Sequence, residues 1–167
     1  MPITMTIPAD PAAIPTVTDS VTQVLGEKHW PEEDVRAVEL ALREALANAV
    51  RHGCRGDASK QLQCSVTCDE SDEVVIIVRD PGSGFDPGAV ADPLDPANVL
   101  KPSGRGLFLI NALMDHVQFT DGGREVQMRK KKAPNLMTMR PETEARCAQL
   151  AGVTSCTSRF STITSIR

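Results

Sequence analysis

The chain has no tyrosine, one tryptophan and four phenylalanines, so aromatic side chains make up only 3% of its 167 residues. A core must therefore be built from aliphatic side chains, and hydrophobic residues, at 41% of the sequence, are enough for one. The longest unbroken aliphatic run, Val74–Val78, is far too short to span a bilayer. The first residues lack a basic segment followed by an apolar one, so neither a signal peptide nor a membrane association is expected.

Basic side chains are fewer than acidic ones: 18 Lys and Arg face 22 Asp and Glu, which gives a net charge of −4 and a pI of about 5.4. No stretch has the basic stripe that nucleic-acid binding requires, so direct binding to DNA or RNA is not expected. The densest basic run, Arg129–Lys132, is predicted to be a solvated strand end. An acidic chain can still bind a nucleotide where local donors and a metal offset the phosphate charge.

The five cysteines are an odd number and include no C-x-x-C pair, so a zinc site is not indicated. Cys64 and Cys68 share one face of a predicted strand, where free cysteines commonly fill core space. A disulfide or metal role for this pair stays open as the minor alternative. The expected state is a reduced, cytoplasmic protein.

Hydrophobic periodicity predicts strands and helices along most of the chain. The predicted elements are a strand at 3–7, a helix at 14–25, a helix from Pro31 to Gly53, a strand pair at 62–78 and a hairpin at 117–128. The aliphatic Val74–Val78 is predicted to be a central strand, and Asp121-Gly122-Gly123 to be the hairpin turn. Together these elements predict an α+β fold, a two-layer sandwich with helices on one face of a mixed, mostly antiparallel sheet.

Two segments lack this regularity. Residues 86–103 contain four prolines and three aspartates, and they are predicted to form a lid, since long loops are often functional. Residues 133–167 are rich in Ser and Thr and have weak periodicity, so they are predicted to be a partly disordered or partner-binding extension. The expected organisation is one domain over residues 1–132 followed by this C-terminal extension.

Three polar side chains recur at intervals of four along the second predicted helix: Glu44, Asn48 and His52. Four residues advance an α-helix by about 400°, so the three side chains form one slowly drifting stripe. Small alanines beside the stripe leave room for a ligand. The stripe alone also fits a solvated helix face with a satisfied histidine near its end.

Two glycine-containing segments follow. Asp80–Phe85 comes directly after the predicted central strand, where a carboxylate can accept a hydrogen bond from an exocyclic amine and glycines allow close backbone approach. An ordinary Asp-Pro-Gly turn is the alternative. Ser103–Leu107 begins a predicted helix, whose exposed N–H groups and dipole favour an anion, with Arg105 adding charge. A flexible hinge before the helix is the alternative there.

The order of these segments carries more information than any one of them. The helix segment Glu44–Gly53, the loop Asp80–Phe85, the proline-rich lid and the helix start Gly104–Leu107 resemble the N, G1 and G2 boxes of the GHKL ATP-binding superfamily. Within it the chain is similar to bacterial anti-sigma factor serine/threonine kinases, over about residues 1–132. No P-loop and none of the V-A-I-K, H-R-D or D-F-G motifs of other kinases occurs.

The resemblance implies a site for ATP with Mg²⁺. Glu44 would orient or deprotonate the attacking hydroxyl or water, a contribution of roughly 10²–10⁴ in rate. Asn48 would supply a magnesium ligand, which suffices because Mg²⁺ keeps waters and phosphate oxygens as its other ligands. The position of His52 resembles that of a residue on the phosphate side, with a less definite role.

The other two boxes are implied to hold the two ends of the nucleotide. Asp80 would accept a hydrogen bond from the adenine amine, and Gly82 and Gly84 would let the loop pass the base. The phosphates would be held, as the lid closes, by Gly104, Arg105 and Gly106.

The resemblance also implies partners. The chain would phosphorylate a STAS-type anti-sigma factor antagonist, would bind a sigma factor in exclusion of that substrate, and would form a homodimer. The alternative is a nucleotide-dependent binding module without useful catalysis, against which the Glu44 carboxylate argues. A fragment of a phosphorelay histidine kinase is a third possibility, although no helix pair with a phospho-acceptor histidine precedes the domain.

Overall fold

The structure is a computed structural model that describes residues 3–68, 72–84 and 105–134. Its strands are β1 (Ile3–Pro8), β2 (Gln61–Cys68), β3 (Glu73–Arg79), β4 (His116–Thr120) and β5 (Glu125–Lys131). Its α-helices are α1 (Ile14–Glu27), α2 (Glu32–Asn48) and α3 (Arg105–Leu113). Short helical turns at Pro11–Ala13, Ala49–Gly53 and Asp121–Gly123 join these elements.

The five strands form one sheet in the order β1-β2-β3-β5-β4. All four pairings between these described strands are antiparallel, so the sheet has no parallel component of the kind that a mixed sheet would add. The aliphatic β3 is central, as predicted, because a strand with neighbours on both sides tolerates a continuous apolar sequence. The three helices pack on this sheet, which confirms the predicted two-layer α+β fold.

The core lies between the helices and one face of the sheet. Alternate residues of β2 and β3, beginning with Leu62 and Val74, are buried and their neighbours are not, as the period of a strand requires. The largest fully buried side chains are aliphatic: Leu25, Leu42, Leu46, Leu62, Ile76, Ile110 and Met128. The expectation of an aliphatic core is therefore confirmed. Cys64 is a buried thiol in it, and its pKa is raised to about 11 by burial.

Helix α2 contacts both α1 and α3 and carries Glu44 and Asn48. Its first turn contains Glu32, Glu33 and Asp34, which stabilise the positive end of the helix dipole. Pro31 directly precedes the helix and is not its first residue, a shift of one position from the prediction.

The basic run Arg129–Lys132 is not the solvated strand end that was predicted. The Lys130 side chain is only 17% exposed, and its Nζ lies 3.2 Å from Asp115 Oδ1 and 4.0 Å from Asp34 Oδ1. The Lys132 backbone N–H donates to the Asp72 carbonyl at 2.8 Å. The prediction was wrong because acidic side chains distant in sequence converge on this run and neutralise it.

Several predictions fall outside the described residues. The lid at 86–103, Phe85 and Gly104 lie there, as does the extension from residue 135 onward, so the boundary at residue 132 stays a prediction. None of the described helices is long and apolar enough to cross a membrane.

Candidate functional site

A cavity of about 560 Å³ opens between α2, α3 and the sheet. Its volume is in the range of sites for small molecules and cofactors. The structure brings seven of the nine predicted site residues to its wall: Glu44, Asn48, His52, Asp80, Gly84, Arg105 and Gly106. The three segments that the sequence separates therefore form one site.

The helical segment that carries the first three residues changes its form inside the site. Helix α2 ends at Asn48, and Ala49–Gly53 forms a π-helical turn, in which the Cys54 N–H donates to the Ala49 carbonyl at 2.8 Å. The single α-helix predicted from Pro31 to Gly53 is therefore wrong in its last turn. Turns of this wider kind are frequent at functional sites. His52 still lines the cavity, but from the wider turn.

Asp80 lies directly after β3, and its position is fixed from two sides. Its N–H donates to the Arg124 carbonyl at 2.9 Å, and its Oδ1 accepts a bond from the Gly82 N–H at 2.8 Å. Burial raises the pKa of this carboxyl, and the Gly82 N–H and the positive charge of Arg124 act in the opposite direction. A half-buried acceptor at the wall of a cavity suits a donor amine of a ligand.

Gly82 donates its N–H to this carboxyl and does not form part of the cavity wall. A Cβ at Gly82 would lie 2.3 Å from the Gly53 carbonyl oxygen, and a Cβ at Gly53 would lie 2.2 Å from Asp80 Cγ. Both glycines therefore allow the loop after β3 to pack against the end of the π-helical turn. The role of Gly82 in letting the loop pass the base stays a prediction; in the structure this glycine packs against the Gly53 carbonyl and Asp80 Oδ1.

Gly84 does line the cavity, and two features of its position require glycine. Its φ is +75°, in the left-handed region, and a Cβ there would lie 2.0 Å from the Gly122 carbonyl oxygen. The loop after β3 is thereby held close to the turn between β4 and β5.

Glu44 and Asn48 meet the first turn of α3. A Cβ at Gly106 would lie 2.8 Å from Glu44 Oε2 and 3.2 Å from Asn48 Nδ2. The absence of a side chain at Gly106 therefore lets the N-terminus of α3 approach a carboxylate and an amide together. Backbone N–H groups at such a terminus bind anions, and Arg105 adds a positive charge beside them.

The donor set at this end suits magnesium. The amide oxygen of Asn48 is a ligand of the kind that Mg²⁺ accepts, and Mg²⁺ needs few protein ligands when phosphates supply the others. Within residues 3–68, 72–84 and 105–134, no group of three or more His, Cys, Asp or Glu side chains could hold a metal alone. The described residues fit a metal that shares its ligands with a phosphate.

Part of the cavity wall lies outside the three predicted segments. These additional residues are Val78, Ile110, Phe119, Gly123, Arg124 and Val126. The apolar members were expected only as core residues, because periodicity cannot separate a core side chain from one that lines a cavity. Arg124 follows a turn signal, and no motif marked it.

One known protein family matches most of the chain. Residues 7–130 match the family model of the histidine kinase-like ATPase domain. The chain belongs to this family, which confirms the resemblance that its three boxes indicated.

Individual relatives show which kind of protein within this family the chain resembles. The serine-protein kinase RsbW of Halalkalibacterium halodurans is 32% identical over 135 residues, which cover 77% of this chain and 82% of that protein. The protein of the same name from Listeria monocytogenes is 28% identical over 135 residues, which cover 77% of this chain and 85% of that one. These relatives place the chain among the serine-protein kinases of the RsbW type.

A solved structure supports the fold. The crystal structure of RsbU and RsbW domains of a Mycobacterium tuberculosis protein aligns with a TM-score of 0.58 at 19% identity, over 81% of this chain and 33% of that one. At this level of identity the likeness concerns the fold alone.

Proposed function

We propose that the chain binds Mg-ATP in the cavity and transfers the γ-phosphoryl group to a serine or threonine of a STAS-type anti-sigma factor antagonist. A sigma factor would be the second partner, bound in exclusion of the substrate, so that phosphorylation decides which partner is held. The relatives support this proposal through their name, serine-protein kinase, which describes those proteins and not this chain. The support from this chain is the arrangement of its own residues.

One observation carries the proposal. The same cavity has Asp80 in its wall together with Glu44, Asn48 and the first turn of α3. Asp80 is a fixed hydrogen-bond acceptor for the base, and the α3 terminus with Arg105 is an anion site for the phosphates. A nucleoside triphosphate has the complementary features, an amine at one end and a charged phosphate chain at the other.

The residues then have distinct roles in the transfer. The hydroxyl oxygen of the substrate attacks the γ-phosphorus, the bond from that phosphorus to the bridging oxygen breaks, and ADP leaves. Glu44 accepts the proton of the hydroxyl, and the N–H groups at the start of α3 stabilise the charge on the phosphoryl oxygens. Phosphoryl transfer depends mainly on such positioning and charge neutralisation.

Magnesium would be held by Asn48 together with phosphate oxygens, and when bound it would neutralise phosphate charge. Asn48 also holds its amide beside Gly106, where the phosphates would lie against α3. Asn48→Ala is therefore expected to lose the magnesium dependence of ATP binding. Equal affinities of Asn48→Ala and wild type in the presence of magnesium would remove Asn48 from the site.

The test of the kinase is Glu44→Gln, which keeps the size of the side chain and removes the base. We expect ATP affinity to persist and transfer of labelled phosphate to the antagonist to fall by roughly 10²–10⁴. The matched control is Glu39→Gln on the same helix, where Glu39 pairs with Arg43 at 2.7 Å outside the cavity. Transfer by Glu39→Gln should equal that of wild type.

Two experimental results would favour an alternative function over the proposed one. Tight ATP binding without any phosphate on the antagonist would favour the nucleotide-dependent binding module. An acid-labile phosphate on a partner histidine would favour a phosphorelay kinase. A homodimer, a cytoplasmic location and the absence of direct nucleic-acid contact are part of the proposal, and sedimentation of the purified chain tests the first of them.

A further inference from the structure

Arg124 is a cation in the cavity wall that belongs to none of the three boxes. It follows the turn between β4 and β5, and its carbonyl accepts the hydrogen bond from the Asp80 N–H at 2.9 Å. Asp80 directly follows β3 and Arg124 directly precedes β5, so the two residues are backbone neighbours at the ends of these paired strands. An anion and a cation therefore occur side by side at the end of the cavity assigned to the base.

The turn before Arg124 holds its guanidinium in place. The guanidinium pairs with Asp121 Oδ1 through a terminal nitrogen, and its Nε donates to the Asp121 carbonyl at 3.1 Å. The second oxygen of Asp121 accepts a bond from Arg79 at 2.9 Å. Asp121 has a φ of 52°, a conformation that Asp tolerates better than most residues, and Gly122 and Gly123 continue it.

Arg124 lines the cavity, and its bonds to Asp121 hold the guanidinium through two of its three nitrogens. The bonds to Asp121 use Nε and one terminal nitrogen, so they do not involve the other terminal nitrogen. The side-chain stem passes close to Gly84, where a Cβ would lie 3.1 Å from Arg124 Cγ. Apolar side chains complete this part of the wall: Val78, Ile110, Phe119 and Val126. A slot with apolar walls and a flat cation suits a heteroaromatic ring.

We propose that Arg124 is a base-contacting residue: its guanidinium, held by Asp121, lies against the ring of the nucleobase whose amine is bound by Asp80. The inference rests on the proposed function, since it assumes that a nucleotide occupies the cavity. A guanidinium on an aromatic face is worth about 0.5–2 kcal/mol, which corresponds to a change of roughly 3- to 30-fold in affinity. Arg124 thereby adds affinity for any purine, whereas Asp80 selects the amine.

The test compares ligands that differ in one part of the molecule. Dissociation constants of adenosine, ADP and ATP are measured by calorimetry for wild type, Arg124→Ala and Arg124→Lys. A contact with the base predicts the same loss, roughly 3- to 30-fold, for all three ligands in Arg124→Ala. A loss that grows with the number of phosphates would overturn the proposal and assign Arg124 to the phosphates.

Inosine triphosphate separates a direct contact from an effect through Asp80, because it lacks the amine that Asp80 binds. A direct contact predicts that Arg124→Ala weakens inosine triphosphate and ATP by the same factor. If Arg124 acted only by setting the charge of Asp80, the loss would disappear with inosine triphosphate, and the proposal would fail.

The control is Arg43→Ala, which removes an arginine from an exposed ion pair outside the cavity. If wild type binds ATP and Arg124→Ala binds it as well as Arg43→Ala does, the inference fails and the proposed function stands. If wild type binds no nucleotide, both fail. Should Arg124→Ala not fold, Arg124→Lys keeps the charge and the stem but not the flat plane, and wild-type affinity in that variant would overturn the proposal.

Discussion

A methyl group on Gly53 would lie 2.2 Å from the carboxyl carbon of Asp80, so the end of the π-helical turn and the loop after β3 meet at a position that only glycine can occupy. The φ of Gly53 is not in the left-handed region, where Arg55 and Gly56 are found instead. The glycine therefore serves close approach. The sequence marked Gly53 as the end of the helix and of the first box, and the structure adds that it makes room for the carboxyl.

Gly53→Ala should displace the Asp80 carboxyl from its bond with Gly82. Overpacking at such a site costs about 1–3 kcal/mol, so we expect ATP affinity to fall by about tenfold or more. Calorimetry with ATP and magnesium measures the effect. The matched control is Gly26→Ala in α1, where a Cβ would have nothing within 4 Å. Equal affinities of the two variants would contradict the role given to Gly53.

The pH dependence of Asp80 follows from its raised pKa. The folded-state pKa lies above the ordinary value of 3.8, so the charged form disfavours the fold without ligand at neutral pH, and this penalty disappears as the pH falls through the folded-state pKa towards 3.8. Asp80→Asn should therefore be at least as stable as wild type at neutral pH. Urea unfolding at several pH values should show the difference shrinking on acidification.

The affinity for ATP should respond to acidification in the opposite direction from the contribution of Asp80 to stability. Protonation removes the carboxylate that accepts the amine, so wild-type affinity should fall as the pH drops through the raised pKa of Asp80. Asp80→Asn should bind more weakly at neutral pH and lack this part of the pH dependence. A parallel decline of both proteins on acidification would assign the effect to another group.

The fold could be predicted in detail because its signals are local. Strand alternation around Leu62, the aliphatic run Val74–Val78 and the hairpin turn at Asp121 each determine a structure within a few residues of themselves. The order of the strands was not predicted, because β1 pairs with β2 and β3 with β5 across long stretches of the chain. The π-helical turn Ala49–Gly53 was not predicted either, because no local pattern in the sequence distinguishes it from a further turn of α-helix.

The site was predictable only where a motif marked it. Glu44, Asn48 and Asp80 could be singled out because the three boxes occur in the order of a known superfamily, although each feature alone fits an ordinary helix face or turn. Arg124 could not, since its role depends on a backbone pairing with residue 80 across the sheet. The basic run at 129–132 shows the same limit, because Asp34 and Asp115 neutralise it from elsewhere in the chain.

Asp34 should be a stabilising residue outside the site. It is 6% exposed, and its Oδ2 accepts a bond from the Ala133 N–H at 2.8 Å, which attaches the chain after β5 to the start of α2. Asp34→Ala leaves that donor without its partner and is expected to lower the free energy of unfolding by about 1–3 kcal/mol.

The control for Asp34 lies in the same helical turn. Glu33 is exposed, so Glu33→Ala loses a similar interaction with the helix dipole, worth about 0.3–1 kcal/mol, without breaking the bond to Ala133. Urea unfolding of both variants measures the difference. If the two were equally destabilised, the helix dipole and not the buried bond would explain the effect of Asp34.

Gly106→Ala should separate stability from activity. Alanine is favoured over glycine in a helix by about 0.8–1.0 kcal/mol, so α3 itself should gain stability. The new methyl group, however, would lie 2.8 Å from Glu44 Oε2 and 3.2 Å from Asn48 Nδ2, and both groups must move away. A displacement of about 1 Å at reacting groups can cost about 10² in rate, so phosphoryl transfer should fall by about that factor.

Asn111→Ala is the control for this variant. Its side chain is exposed and donates to the Leu107 carbonyl within α3, so alanine should alter helix stability there without reaching the cavity. Thermal unfolding and phosphate transfer to the antagonist are measured for both variants. Unchanged transfer in Gly106→Ala would mean that Glu44 and Asn48 tolerate displacement, which is incompatible with a base and a metal ligand that act at the start of α3.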